Sequence, residues 1–466
     1  MARLSLFLPP PAGDYSGAAG VLFGLDCLVV LVDAGCCTRN YTEYDEPRWA
    51  RRRKTAFSAQ LRTLEAVLGD EERIVKQTAE GVRELGVSCA ALLGTPVPAV
   101  TGMNLPGIAC DIEERAGVPA LGVETCGFET YERGASRALV ALAKRFARKP
   151  LDTAAPQGTA PLRVNVLGLT AQDFMGEADM QACLAWLRGA GLEIAFCASG
   201  SYTLDDVAAA GQADASVVVA WSGLAAAHEL QERCGVPYVV GRPWCAEDAH
   251  KIAELAQRAA SGGARNAPLS MWDAPSQAAG SELAGASKPA SPTAAADSPD
   301  PAGPAPAETH VADGRMTAET PAREAGSAQS SPILLLGEQV AMCSLREHVR
   351  AALAEAGLTA QVVVATRFSA DPALAEPGDL SEADERELIA WARANPGFTW
   401  IGDPLFERIP AFAGHGAAAL PHEATSSTLY ADLAKELAGG ASLAHVQRGI
   451  MERYIQKSQA NELTCK

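Results

Sequence analysis

Three cysteines stand out among the residues able to do chemistry. Cys36 and Cys37 follow the apolar run Cys27–Val32, and Cys126 follows Val118–Glu124. All three sit in polar or glycine-rich stretches, VDAGCCTRNYTEYDEPRW and GVETCGFETYERG. Asp14, Asp33, Asp45, Glu46, Glu124 and Glu129 stand close by in the chain. A thiolate in such a loop is a candidate ligand for iron–sulfur or other metal chemistry. His422 in LPHEA and His415 in FAGHG are the candidate proton donors, because only histidine titrates near neutrality when unperturbed. Arg39, Arg48, Arg242 and Arg367 could hold an anion through paired N–H donors, although structural pairing is the ordinary fate of any one arginine.

The elements that position these residues read as α/β. CLVVLV, SCAALLG and VPALGVE are continuous apolar runs ending in glycine or acid, the signature of strands buried on both faces of a parallel sheet. A polar helical stretch over 54–85, a helix near Gly107–Ala116 and another over Tyr131–Ala147 alternate with them. AGDYSGAAG precedes the first strand as a loop. The alternation resumes with LRVNVLG, LEIAFCASG, SVVVAW and VPYVVG, and again with ILLLGEQV, QVVVAT and FTWIGDP. The prediction is three Rossmann-like parallel-sheet domains, at 1–150, 161–260 and 332–456, with a tail at 457–466. Residues 261–331, with nine prolines and no Ile, Phe, Tyr or Cys, cannot bury enough apolar surface to offset chain entropy. They are expected to form a disordered Pro/Ala/Ser-rich insertion, and His310 within them is discounted.

Composition limits the function. The chain has 466 residues, 12 cysteines and a formal net charge of −17. That charge argues against a nucleic-acid partner, which needs clustered Lys and Arg. No apolar run reaches the roughly 18–20 residues of a membrane span. The first apolar run, Leu4–Leu8, is too short for a secretory signal, so a cytoplasmic location is expected. Cytoplasmic cysteines are usually thiols or metal ligands rather than disulfides. GxGxxG after the first strand, GxxxxGK[ST], HExxH, GxSxG and CxxC are all missing. Cys27, Cys89, Cys183 and Cys197 fall in apolar patterns and are assigned to the core. Cys110, Cys234 and Cys343 fall on predicted helices, Cys465 lies in the tail, and Cys245 in RPWCAED is a second loop candidate.

Taken in order, GDYSGAAGVLFG, GCCTRNYTEYDEPRW, LLGTPVPAVTG and ETCGFETYERGASRAL resemble the N-terminal domain of nitrogenase component 1-type oxidoreductases. The resemblance continues through VNVLGLTAQDF, VVVAWSGLAAAHELQERCGVPYVVGRP, LLLGEQV and IGDPLF…LPHEATSSTLY. It implies a paired-subunit assembly, either a homodimer or a heterodimer with a paralogous subunit. It implies a [4Fe–4S] cluster near the interface, electrons from an ATP-dependent iron–sulfur reductase partner, and reduction of a small or tetrapyrrole-like substrate in an interdomain cleft. Cys37 matches a family cluster ligand, with Cys36 beside it. At the first-loop position stands Gly13, next to Asp14, and an aspartate ligand has precedent in the family's protochlorophyllide reductases. Tyr15 and Cys126 complete the expected cofactor surroundings. The third-loop ligand falls near Val97, and the ligand of the large catalytic cofactor falls near Ala220. SSTLYAD replaces the C-terminal histidine ligand, so dinitrogen reduction is rejected. A scaffold or carrier in cofactor assembly, or a degenerate subunit pairing with a paralogue, stands as the alternative. The basic run RWARRRK, at 48–54, is either a helix start or a docking point for an acidic reductase.

Overall fold

Continuous apolar runs pair side by side only if helices cover both faces of the resulting sheet. That is the arrangement in the computed structural model, which describes residues 5–49, 56–69, 71–150, 161–262, 269–272, 330–438 and 440–464. Among these residues are three parallel sheets. In the first, β1 (Cys27–Val32), β2 (Ala56–Ser58), β3 (Cys89–Gly94) and β4 (Ala120–Val123) stand in the order β2-β1-β3-β4. The second contains β5 (Leu162–Leu167), β6 (Leu192–Cys197), β7 (Ala215–Val218), β8 (Tyr238–Val240) and β9 (Leu269–Ser270), ordered β6-β5-β7-β8-β9. The third contains β10 (Ser330–Leu336), β11 (Ala360–Ala365), β12 (Thr399–Gly402) and β13 (Gly416–Ala419), ordered β11-β10-β12-β13. Every pairing is parallel. In each sheet the order reverses beside the first strand, and the crevice at such a reversal, outside the carboxyl ends, is where open α/β sheets bind ligands.

The structure differs from the sequence reading at several elements. AGDYSGAAG is not a loop: Asp14–Leu22 is a helix, wholly buried. Its small residues let it cross the helix Tyr131–Phe146 at backbone contact. A Cβ on Gly17 would overlap the Tyr131 carbonyl, and one on Gly134 would overlap the Asp14 carbonyl. The stretch expected as one polar helix begins with β2, which adds to β1. It then divides at Gly69, whose φ of 69° ends the helix Thr63–Leu68 before Glu72–Leu85 begins. Glycine takes that left-handed conformation without the penalty a side chain brings. Finally, Leu269–Ser270, inside the stretch expected as linker, pairs with β8 as a fifth strand. Residues 273–329 lie outside the described residues, as do 50–54 of the basic run and Cys465. No helix among the described residues is long and apolar enough to cross a membrane.

Candidate functional site

The first candidate centre is built on the first turn of helix Asp14–Leu22, beside the β1/β3 reversal. Asp14 is fully buried. Its Oδ1 accepts the N–H groups of Tyr15 (2.9 Å) and Gly127 (2.6 Å). Its Oδ2 accepts the Cys126 N–H (2.8 Å), the Cys126 thiol (3.4 Å) and Arg137 Nη1 (3.3 Å). Arg137 also pairs with Glu129. A carboxylate in a helix's first turn gains from the helix dipole, and here it fixes the loop after β4 onto that helix. Asp14 and Cys126 therefore stand together with Glu129, their ligand atoms within 4.8 Å of one another. Asp14 is already saturated by donors.

Tyr15 turns the other way, its phenol beside the side chains of Cys37 and Asn40. Burial raises its phenol pKa, and Cys37 adds to the rise. Cys36 and Cys37 open the short helix Cys36–Asn40, which the chain enters through Gly35 at a φ of 108°. Asp33, at the end of β1, accepts from Thr38 N–H (2.9 Å), Thr38 Oγ1 (3.1 Å) and Ser58 Oγ, and so pins this turn. The two sulfurs and the Asp33 carboxylate lie within 4.8 Å of one another. Cys36 is exposed and Cys37 half-buried. Burial pushes the Cys37 thiol up to about 12, with Cys36 and Asp33 contributing. Consecutive residues of one helical turn thus face two thiol sites, Asp14 toward Cys126 and Tyr15 toward Cys37.

The second centre lies where carboxyl ends of strands from the second and third sheets meet the start of helix Tyr131–Phe146. Asp173, beyond β5, accepts from Tyr131 Oη (2.5 Å), Thr170 Oγ1 (2.6 Å) and Ser222 Oγ (3.3 Å). Glu338, beyond β10, accepts from the N–H groups of Trp221, Val340 and Ala341. Arg242, beyond β8, donates to the Asp173 carbonyl (2.8 Å) and to Asp179 (2.9 Å), and stacks on Phe174 at 3.7 Å. Burial and the Glu338 charge hold Asp173 well above the usual carboxylate range. His422, beyond β13, stacks on Phe368 with ring centroids 4.9 Å apart and touches Tyr131 Oη at 3.5 Å. Its Nδ1 is buried without a hydrogen-bond partner. Burial, with Arg242 nearby, pulls its pKa down to about 3, so the ring is neutral near pH 7. Next to it, burial pushes Glu423 up to about 8, with Glu46 and Asp403 adding to the rise.

The open space at this centre is about 30 Å³ among Asp173, Arg242, Trp244, Glu338 and His422, which is room for one water. His415 does not join it. It precedes β13, whereas His422 follows that strand, so the two occupy opposite edges of the third sheet. Its Nδ1 lies 3.1 Å from the Phe398 carbonyl and its ring stacks on Phe398. Of the other arginines, Arg48 is buried and bonded to Glu46, Gly20 O and Ser199 O, so it is structural. Arg39 is exposed and paired with Glu43. Arg367 borders the Phe368–His422 side of the centre, and burial lowers its pKa. Cys27, Cys89, Cys183 and Cys343 are buried, Cys197 and Cys234 half-buried, and Cys110 exposed. Sequence reasoning missed Asp173, Tyr131, Glu338 and Glu423. The available signal was their shared place in strand-end loops or at a helix start, which polar residues elsewhere in the chain also occupy.

The family model of the nitrogenase component 1 type oxidoreductase matches residues 14–264. The nitrogenase iron-molybdenum cofactor biosynthesis protein NifE of Bradyrhizobium diazoefficiens is 23% identical over 194 residues, 40% of this chain and 33% of that protein. Two solved structures of nitrogenase Cp1 are also similar. The one at pH 6.5 has a TM-score of 0.43 at 14% identity, covering 56% of this chain and 54% of its own. The one at pH 5 has a TM-score of 0.47 at 12% identity, covering 83% and 69%. The match thus spans about a third of the biosynthesis protein and about half of the first structure. With more than half of its length matched by the family model, the chain belongs to the nitrogenase component 1 type oxidoreductases.

Proposed function

We propose that this chain is a nitrogenase-like redox subunit that holds an iron–sulfur cluster at the carboxyl edge of its first sheet, shared with a second subunit. The observation that carries this reading is the vicinal thiol pair at the β1/β3 reversal, one sulfur exposed and the other half-buried against Tyr15. The donor set fits half of a [4Fe–4S] site. Such a cluster takes about four ligands, and a two-fold or pseudo-two-fold partner doubles what one chain offers. Cys37, with Cys36 as the second thiol, would hold it. Asp14 supports the loop instead, since its carboxylate is already occupied by five donors. A bound cluster would supply one-electron transfer, and an ATP-dependent reductase is the proposed electron source.

The chain's own residues supply the rest. Tyr15 and Asp33 fix the thiol-bearing turn. At the second centre a neutral His422 is a hydrogen-bond partner rather than an acid, and Asp173 with Tyr131 is the group able to pass a proton. The closed centre favours a small substrate over a tetrapyrrole. Anaerobic purification of the full chain, followed by iron and sulfide assay and EPR, tests the reading. We expect stoichiometric iron and sulfide that fall at least about tenfold in a Cys36→Ser/Cys37→Ser protein. Iron that is absent, or undiminished in that variant, overturns it. The likeness to a cofactor biosynthesis protein favours a second reading, a scaffold for cluster or cofactor assembly. Transfer of bound iron to an acceptor protein without turnover separates the two.

A further inference from the structure

The segment after β8 runs beside the helix Gln339–Glu355 and touches it at Ala341, Ser344 and His348. The Arg242 N–H donates to Ser344 Oγ (3.0 Å), and Trp244 Nε1 donates to the Ala341 carbonyl (3.1 Å). One turn beyond Ser344, His348 presents Nε2 to Asp248 Oδ2 at 2.6 Å. Asp248 lies in the first turn of helix Ala246–Gly262, three residues after Cys245, a spacing that puts both side chains on one side of that turn. Cys245 Sγ, an Asp248 oxygen and a His348 ring nitrogen all lie within 4.8 Å of one another. The second-sheet and third-sheet portions of the chain meet at this point.

A second observation points to a ligand. Asp248 is completely buried, and its Oδ1 has no hydrogen-bond donor. The nearest cation is the ammonium of Lys251, 3.8 Å away on a side chain 61% exposed. A buried carboxylate oxygen left in that condition destabilises the fold unless something supplies the missing positive partner. We propose that Cys245, Asp248 and His348 bind a zinc ion. Sulfur, imidazole nitrogen and carboxylate oxygen are the donors zinc takes, at about 2.0–2.3 Å. Tetrahedral geometry at those lengths separates ligand atoms by roughly 3.3–3.8 Å, which small side-chain rotations reach from the observed spacing. Water or the carboxylate of Glu247, two residues after Cys245, completes the set. The ion would satisfy Asp248 Oδ1 and tie the loop after β8 to the third sheet's first helix. This site shares no residue with the thiol pair at Cys36 and Cys37.

Cobalt(II) titration of the chelator-treated full chain tests the proposal. One cobalt per chain is expected, with cobalt–thiolate charge-transfer absorption that zinc displaces stoichiometrically. The absorption should vanish in Cys245→Ser, and metal affinity should fall by about 100-fold or more in His348→Gln. Because His348 is only partly buried, His348→Gln should keep the wild-type circular dichroism spectrum, so a null result cannot be laid to misfolding. Cys36→Ser/Cys37→Ser should keep the signal. No thiolate band in the wild type, or a band and affinity unchanged in both site variants, overturns the proposal. So does a band lost only in the Cys36/Cys37 variant.

Discussion

Glu423 shows how a single buried side chain sets a pH response. Its carboxyl is pushed up to about 8 by burial, with Glu46 and Asp403 adding to the rise. A raised acid pKa contributes stability that is fully present below the unfolded value, near 4.5, and is lost as pH rises toward 8. The group therefore makes the fold weaker in mild alkali. In Glu423→Gln that loss should disappear. Urea unfolding at pH 5 and pH 8.5 should show the variant's relative stability improving by a few kcal/mol, on the order of one per pKa unit. An equal offset at both pH values would refute the assignment. The residue scale is also where sequence was most informative about thiols and least about acids. Cys37 could be placed because a distinctive residue type sits in an ordered series of loop motifs. Asp173 and Glu338 could not, because an acid after a strand reads the same whether it is solvated or buried between sheets. The sequence offers His422 as a candidate proton donor, whereas its neutral state follows from packing against Phe368 and Tyr131 that no local pattern reveals.

Among the elements, the crossing of helices Asp14–Leu22 and Tyr131–Phe146 controls the first centre. Glycine inside a helix normally costs about 1 kcal/mol relative to alanine, so Gly17→Ala would stabilise an exposed helix. Here the added methyl would meet the Tyr131 carbonyl. The variant should be destabilised by about 2–3 kcal/mol, as overpacked cores are, and should shift the Asp14–Cys126 contact. A thermal melt gives the first effect, and the reaction rate of Cys126 with a thiol reagent gives the second. A more stable variant would sink the crossing. The long apolar strands were legible in advance because six buried residues in a row leave little alternative to a central parallel strand. The three-residue β2 was not, since Ala56–Ser58 carries no periodicity and depends on β1 as a template. Helix Asp14–Leu22 escaped because glycine and serine signal a turn locally, and only the partner helix reverses that preference.

For the molecule as a whole, Arg242 is the joint between the second and third sheets. It stacks on Phe174, pairs with Asp179, and its backbone N–H reaches Ser344. Arg242→Ala would leave Asp179 buried and unpaired and strip the stacking, at about 3–5 kcal/mol. The urea-unfolding midpoint should fall accordingly, and an unchanged midpoint would show that the Arg242 side chain does not carry this joint. Three strand–helix alternations were enough to anticipate three sheets, but not how tightly they close on one another, because that depends on contacts between distant loops. One such contact has a temporal side. The Glu385 carboxylate accepts from the N–H groups of Leu6, Phe7 and Leu8, partners 377 to 379 residues away. At roughly 5–20 residues per second of synthesis, the opening segment waits on the order of 20–75 s for its partner to be made. Until then three backbone N–H groups beside Leu8, a residue of the third sheet's core, have only water or a chaperone to bind. The Leu6–Leu8 segment is thus among the last parts to be locked, and a nascent polypeptide stalled before Glu385 would present that apolar segment unpartnered to the cell's quality-control machinery.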